Sequence, residues 1–351
     1  MDIMSKKLLS KGKYARMLKL TTDDGIVDAL ALDQRGSLVK GMKTAAAKYG
    51  KLFSMDMVYN FKQTVSEILS PYSSAILLDD QMGFKGIEAK SVDTGLIMSY
   101  EKTGYDANEP GRLPSLIPDQ SAQIMVQRGA DALKVLLYFN PNDPDEINDQ
   151  KKAFAQRYGI EGVAAETPTF LEIVTYDDRY DSSSLEFAKE KPELVLKSMR
   201  EFTQDKYHID VLKMEIPFNP KFVAGWNKDA SDSAYTEAEA KDYLKQLSDE
   251  ATRPFIFLSA GVPTNVFQRE LKLAGDAGAK FNGVLSGRAT WLEGVDIFAR
   301  DGRDGLVDWL KHKGTRNVTE LTQILSDNAT PWFEAYGGKD NIQVVDISNI
   351  Q

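Results

Sequence analysis

No cysteine occurs among the 351 residues of this chain, and there are only two histidines, His208 and His312. Disulfides, iron–sulfur clusters and thiol nucleophiles are therefore excluded. A zinc centre built on several imidazoles is excluded as well, and both histidines sit in polar, charged stretches suited to a surface. No apolar run approaches the roughly 18 residues that cross a bilayer, and none has the pattern of a secretory leader. Positive charge is in deficit: 43 lysines and arginines against 52 aspartates and glutamates give a formal net charge of -9. Nucleic acid, which demands a basic face, is not an expected partner. One basic segment, with Lys6, Lys7, Lys11, Lys13, Arg16 and Lys19, reads as a solvated helical lead-in over 1–20. These absences describe a cytoplasmic protein with no metal and no cofactor, whose chemistry must come from ordinary side chains.

What is present is a core. Hydrophobic residues make up 42% and charged residues 27%, ordinary proportions for a folded globular chain. Short apolar runs recur at 26–33, 74–79, 95–100, 132–139, 168–176, 211–216, 254–259 and 283–286. Most are apolar on both faces, as buried parallel strands are. Helical patterns fall between most of them, near 55–69, 119–128, 145–158, 184–203, 235–250, 264–277 and 303–312, with Ser54 and Thr236 as N-caps and Gly129 and Gly278 as terminators. Eight strands with helical connections predict an α/β fold, a single (β/α)8 TIM barrel over 1–351, with 81–118 as an irregular connection and 315–351 as a C-terminal extension. Trp332, Phe333 and Tyr336 in that extension either cap the barrel or make a subunit contact, and a homodimer is expected.

Two lysines stand inside apolar strands. Lys213 lies in Val211-Leu212-Lys213-Met214-Glu215-Ile216, and Lys134 in Ala132-Leu133-Lys134-Val135-Leu136. A buried ammonium is costly unless paired or neutralised. Lys213 could instead snorkel to solvent at the strand end or close a buried ion pair with Glu215. Pointed into one cavity, each lysine would disfavour the other's charged form. Moving an amine from about 10.4 toward 7–8 takes roughly 4 kcal/mol of such effects. A neutral amine attacks carbonyl carbon. Spacing alone does not say which lysine is the nucleophile. Glu172, flanked by apolar residues, is either an acid–base group or a permanent salt-bridge partner of one lysine. Asp33 has the same two readings, and Asp79 and Asp80 read as strand-end acceptors rather than metal ligands.

In such barrels the functional face is the C-terminal end of the strands, with phosphate often bound after the last two. Those strands end here in Ser259-Ala260-Gly261 and Ser286-Gly287-Arg288. The glycines permit close backbone approach to an anion, and Arg288 adds a guanidinium fork. A phosphorylated substrate is the expectation.

Taken together, DALALDQRGS, AILLDD, TGYD, ALKVLLYF, FLEIVTYD, VLKMEIP, FLSAGV and LSGRATW resemble the class I tagatose 1,6-bisphosphate aldolases along nearly the whole chain. The resemblance implies a Schiff-base lysine at Lys213 and an acid–base glutamate at Glu172. It further implies substrate contacts from Asp33, Gln34 and Lys134, and phosphate binding by Ser259, Gly261, Gly287 and Arg288. The implied reaction splits a ketohexose bisphosphate into dihydroxyacetone phosphate and glyceraldehyde 3-phosphate. Fructose bisphosphate or a sulfofructose phosphate remain alternative substrates, and a sugar-phosphate-sensing regulator is the alternative from a different class.

Overall fold

The structure, a computed structural model, describes residues 6–226 and 232–349. Among the described residues ten strands are formed: β1 (Lys7–Ser10), β2 (Val27–Ala31), β3 (Ala75–Leu78), β4 (Gly95–Ser99), β5 (Ala132–Phe139), β6 (Thr169–Thr175), β7 (Val211–Met214), β8 (Phe255–Leu258), β9 (Gly283–Ser286) and β10 (Ile342–Val345). Strands β2 to β9 are parallel and close in sequence order into an eight-stranded barrel. The expected (β/α)8 architecture is what the chain adopts.

Two-residue alternation explains both faces of the barrel wall. Outward side chains such as Leu30, Ile76, Met98 and Val135 join the helices in one large core. Inward ones, including Val27, Ala29, Leu77, Ile97, Phe170, Val211 and Ile256, fill the lumen. Continued toward the C-terminal ends of the strands, the same parity delivers Asp33, Glu101, Lys134, Glu172 and Lys213 to the top of that apolar stack. Register sets neighbours: Lys134 lies opposite Ser99, Leu136 opposite Glu172, and Glu172 opposite Lys213.

Several local expectations are met and some are not. Thr236 closes a full capping box with Glu239, whereas Ser54 occupies the cap position of helix Met55–Leu69 without a side-chain bond. Gly129 and Gly278 follow their helices with positive φ. The sequence pattern missed helix Gly36–Lys48, whose buried Leu38, Met42, Ala45 and Ala46 have helical spacing interrupted by Gly41. The lead-in contains strand β1 before helix Lys11–Lys19, and β1 pairs in parallel with β10, so the two ends of the described chain are joined. Residues 1–5 of that lead-in lie outside the described residues.

The segment expected as a C-terminal extension, 315–351, opens with a helix. Helix Thr315–Asn328 packs against helix Thr264–Asp276 and bonds the first barrel strand through Thr322 Oγ1 donating to Asp28 Oδ2 at 2.6 Å, so it belongs to the outer ring. Beyond it, Trp332 is buried with Tyr14, Phe333 and Tyr336 around it, and its backbone N–H donates to the Gly25 carbonyl at 2.9 Å. These aromatics plug the N-terminal end of the lumen, so the functional end is the opposite one. No helix among the described residues is long and apolar enough to cross a membrane.

Candidate active site

A cavity of about 380 Å³ opens at the C-terminal end of the barrel. On its floor Glu172 accepts from both lysines: Oε2 lies 2.7 Å from Lys134 Nζ and Oε1 lies 2.9 Å from Lys213 Nζ. Both lysines are nearly sealed from solvent, Lys134 at 2% and Lys213 at 4% exposure, which rules out the snorkelling alternative. Lys134 has two further carboxylates, Asp33 at 3.0 Å and Glu101 at 3.2 Å.

The electrostatics differ from what two facing amines suggest. Burial disfavours the Lys134 ammonium, but Asp33, Glu101 and Glu172 outweigh it and raise its pKa well above the ordinary lysine value. The expectation of a depressed Lys134 is therefore overturned, because three carboxylates were not visible in its linear neighbourhood. Burial favours the protonated form of Glu172, yet Lys134 and Lys213 together hold its carboxyl below the usual range. Asp33 is depressed too, with Lys134 the chief force against burial. Glu101 goes the other way: burial pushes it up, and the Asp33 charge adds to that against Lys134 and Arg35.

Arg35 braces this floor by donating to the Glu101 carbonyl at 2.9 Å and to its Oε1 at 3.1 Å. Asp79 and Asp80 prove to be structural acceptors. Asp79 is fully buried against Lys62 and receives the Met82 N–H at 2.7 Å, while Asp80 receives Gln120 and Arg128. Glu215 does not reach Lys213. Its Oε2 takes the N–H and hydroxyl of Thr175, each at 2.7 Å, and Oε1 faces Lys191 at 3.4 Å.

Ser259, Gly261, Gly287 and Arg288 converge at the ends of β8 and β9. Gly261 has φ +79, and a Cβ there would sit 2.8 Å from the Arg288 guanidinium carbon, so only glycine lets that side chain lie across the loop. Arg288 donates weakly to the Ala260 carbonyl at 3.4 Å and has no carboxylate partner among the described residues. A Cβ on Gly287 would approach the Ala31 carbonyl to 2.9 Å and Gln34 Nε2 to 3.1 Å. Gln34 thus joins the cavity to the loop after β9, and its Oε1 is buried without a partner among the described residues.

A second cavity of about 460 Å³ adjoins the first through Leu136, Tyr138, Glu172 and Arg288. Its wall carries Glu270, which is 2% exposed and whose carboxyl burial pushes up to about 8 against the pull of Lys191. The folded chain keeps that proton while the unfolded chain loses it near 4.5, so stability falls as pH rises between these values. The loss is on the order of 5 kcal/mol. We expect Glu270→Gln to melt above wild type at pH 9 and alongside it at pH 5. Equal melting temperatures at both values would show that Glu270 ionises without cost.

Of the residues named from the sequence, Asp33, Gln34, Lys134, Glu172, Lys213 and Arg288 line one cavity, while Ser259 lines the adjoining one and Gly261 lies under the Arg288 side chain; the same floor adds residues that were missed. Glu101 follows the apolar run 95–100 at the parity of Ser99, a signal the sequence carried unread. Arg35 stood inside DQRG without being singled out. Lys62, Lys191 and Glu270 come from helices, and no linear pattern marks a helical side chain that reaches a strand end.

A model described as DeoC/LacD family aldolase matches residues 28–293. The tagatose 1,6-diphosphate aldolase of Listeria innocua is 44% identical over 339 residues, 96% of this chain and 98% of that one. That of Staphylococcus aureus is 42% identical over 324 residues, covering 92% and 98%. Among solved structures, a fructose-bisphosphate aldolase from Plasmodium falciparum aligns with TM-score 0.65 at 12% identity, over 93% of this chain and 98% of that one, a likeness of fold. The matched residues include every barrel strand and the charged floor, and the chain belongs to the DeoC/LacD family of aldolases, carbon–carbon lyases.

Proposed function

We propose that the chain is a class I aldolase that reversibly cleaves tagatose 1,6-bisphosphate to dihydroxyacetone phosphate and glyceraldehyde 3-phosphate, with Lys213 as the Schiff-base residue. The observation that carries this reading is the shared carboxylate of Glu172 between two buried lysines in unlike surroundings. Three carboxylates hold Lys134 as an ammonium, which is no nucleophile. Among the described residues Lys213 has one carboxylate partner, Glu172, an acceptor 2.9 Å away placed to take a proton from its nitrogen.

Neutral Lys213 adds to the C2 ketone, and Glu172 gives the proton it took to the carbinolamine hydroxyl, which leaves as water to form an iminium and restores the carboxylate. Glu172 removes the C4 hydroxyl proton, the C3–C4 bond breaks, and its electron pair moves into the iminium to form an enamine. Glyceraldehyde 3-phosphate departs as the aldehyde. Protonation at C3 and hydrolysis of the iminium then release dihydroxyacetone phosphate and restore Lys213. Lys134 and Asp33 are suited to hold substrate hydroxyls, and the unpaired Gln34 Oε1 offers a further acceptor. Ser259, Gly261, Gly287 and Arg288 would seat the C1 phosphate, beside Lys213 on the adjoining strands. The relatives, tagatose 1,6-diphosphate aldolases, support the tagatose compound as substrate. A cysteine-free, acidic chain fits the cytoplasm, where we place it as a homodimer.

The test is a panel of ketohexose bisphosphates and a sulfofructose phosphate, assayed for triose phosphate release with excess chelator present. We expect tagatose 1,6-bisphosphate to give the highest kcat/KM, unaltered by chelation. Release that stops on chelation and returns with a divalent ion would remove the Schiff-base mechanism, and a faster sulfosugar would replace the substrate.

A further inference from the structure

The cavity has a second cationic wall that the reading above leaves unused. The segment after β4 folds over the opening and places Lys102, Thr103, Arg112 and Ser115 along its rim. Arg112 has φ +51, a conformation that non-glycine residues seldom adopt, directly after Gly111 at φ +88. A Cβ on Gly111 would meet Ile147 Cγ2 at 2.4 Å, so the turn is pressed against the barrel and its path is imposed by packing. Backbone conformations of this kind cost roughly 1–3 kcal/mol and gather where a side chain must be aimed.

The aim here is specific. The Arg112 guanidinium lies 4.1 Å from the centre of the Tyr176 ring, with Tyr105 and Tyr138 at 5.4 and 5.7 Å. Three aromatic faces fix its plane while leaving its edge free. One nitrogen, Nη2, meets Asp178 at 2.7 Å, an exposed carboxylate. The other guanidinium nitrogens have no protein acceptor among the described residues.

Barrel order supplies the geometry. Arg288 follows β9, and Tyr138, under Arg112, is on β5, four strands away around an eight-stranded ring. The two guanidinium groups thus enter one cavity from opposite walls, with Lys213, Glu172 and Lys134 on the floor between them. On that floor Arg35, Lys134 and Lys213 are bonded to Asp33, Glu101 and Glu172. On the rim, Lys102 and Arg288 have no carboxylate partner among the described residues, and Arg112, beside Lys102, has one guanidinium nitrogen on the exposed Asp178 and the others free.

We propose that Arg112 binds the phosphate at the end of the ketose remote from Arg288, and so selects a doubly phosphorylated substrate over a singly phosphorylated one. This rests on the aldolase reading. With C2 at Lys213 and the C1 phosphate toward β8 and β9, carbons 3 to 6 run past Glu172 toward β5 and the Tyr138–Tyr176–Arg112 stack.

The experiment compares kcat/KM for a ketohexose 1,6-bisphosphate and the matching ketohexose 1-phosphate in wild type, Arg112→Gln, Arg112→Lys and Arg288→Ala. Arg112→Gln should lose about 10–100-fold on the bisphosphate, the value of one charge-assisted contact, and at most about twofold on the 1-phosphate. Arg112→Lys should recover part of the loss, and Arg288→Ala should depress both substrates. If Arg112→Gln loses both equally, or neither, while wild type cleaves both, this inference alone is overturned. Wild-type protein that cleaves neither compound overturns the aldolase reading and this inference with it.

Discussion

Lys213→Ala will abolish cleavage, and borohydride added with dihydroxyacetone phosphate will label the wild-type protein irreversibly at Lys213 and leave the variant unlabelled. The covalent step needs the amine itself, so no neighbouring group replaces it. Glu172→Gln should separate the two functions. It keeps the shape between the lysines and some labelling, but cannot take the C4 hydroxyl proton, and turnover should fall by about 10²–10⁴, the range for a positioned acid–base group. Mass spectrometry of the trapped peptide reads the outcome. A label on Lys134 would exchange the roles of the two lysines, and its absence from both would leave the aldolase without a Schiff base.

The second large effect is on stability. Lys134→Met leaves Asp33, Glu101 and Glu172, all within 3.2 Å of the lost ammonium, with the Lys213 and Arg35 contacts as the only remaining compensation. Removing one member of a buried ionic group costs about 3–5 kcal/mol, because the charges left behind stay desolvated. In a chain this size that should lower Tm by roughly 10 °C near neutral pH. The depressed carboxyls of Asp33 and Glu172 contribute stability that is present above their unfolded values, near 4, and is lost as pH falls through their folded values. The raised Lys134 contributes throughout the range below about 10. The gap between wild type and variant should therefore be full at pH 7 and narrow below about pH 4. A gap that is the same in acid would locate the cost in lost packing instead of lost charge pairing.

The barrel was legible because a parallel strand buried on both faces must be apolar along its length, and eight such runs separated by helical spacing leave few other arrangements. The same logic exposed Lys134, Glu172 and Lys213, since charge inside an apolar run has no packing reason to be there. It reached strand ends and no further. Glu101 was passed over because it stands one residue beyond its run, and Lys62, Lys191 and Glu270 because a helical residue's reach depends on how the helix docks. Helix Thr315–Asn328 was set outside the barrel because only its packing on Thr264–Asp276 and its Thr322 bond to Asp28 show where the ring closes.

The sequence by itself determined the fold class, the chemical inventory of the floor and the glycine-bearing ends of the last two strands, all of which follow from residue type and two-residue alternation along single strands. The tertiary structure alone decided how that inventory is divided. Lys134 and Lys213 look alike in sequence, each an amine in an apolar strand. Closing the ring sets three carboxylates from β2, β4 and β6 around the first and one around the second. Protonation depends on charges within a few ångströms in space, and those neighbours are brought together from positions as far apart as Asp33 and Glu172.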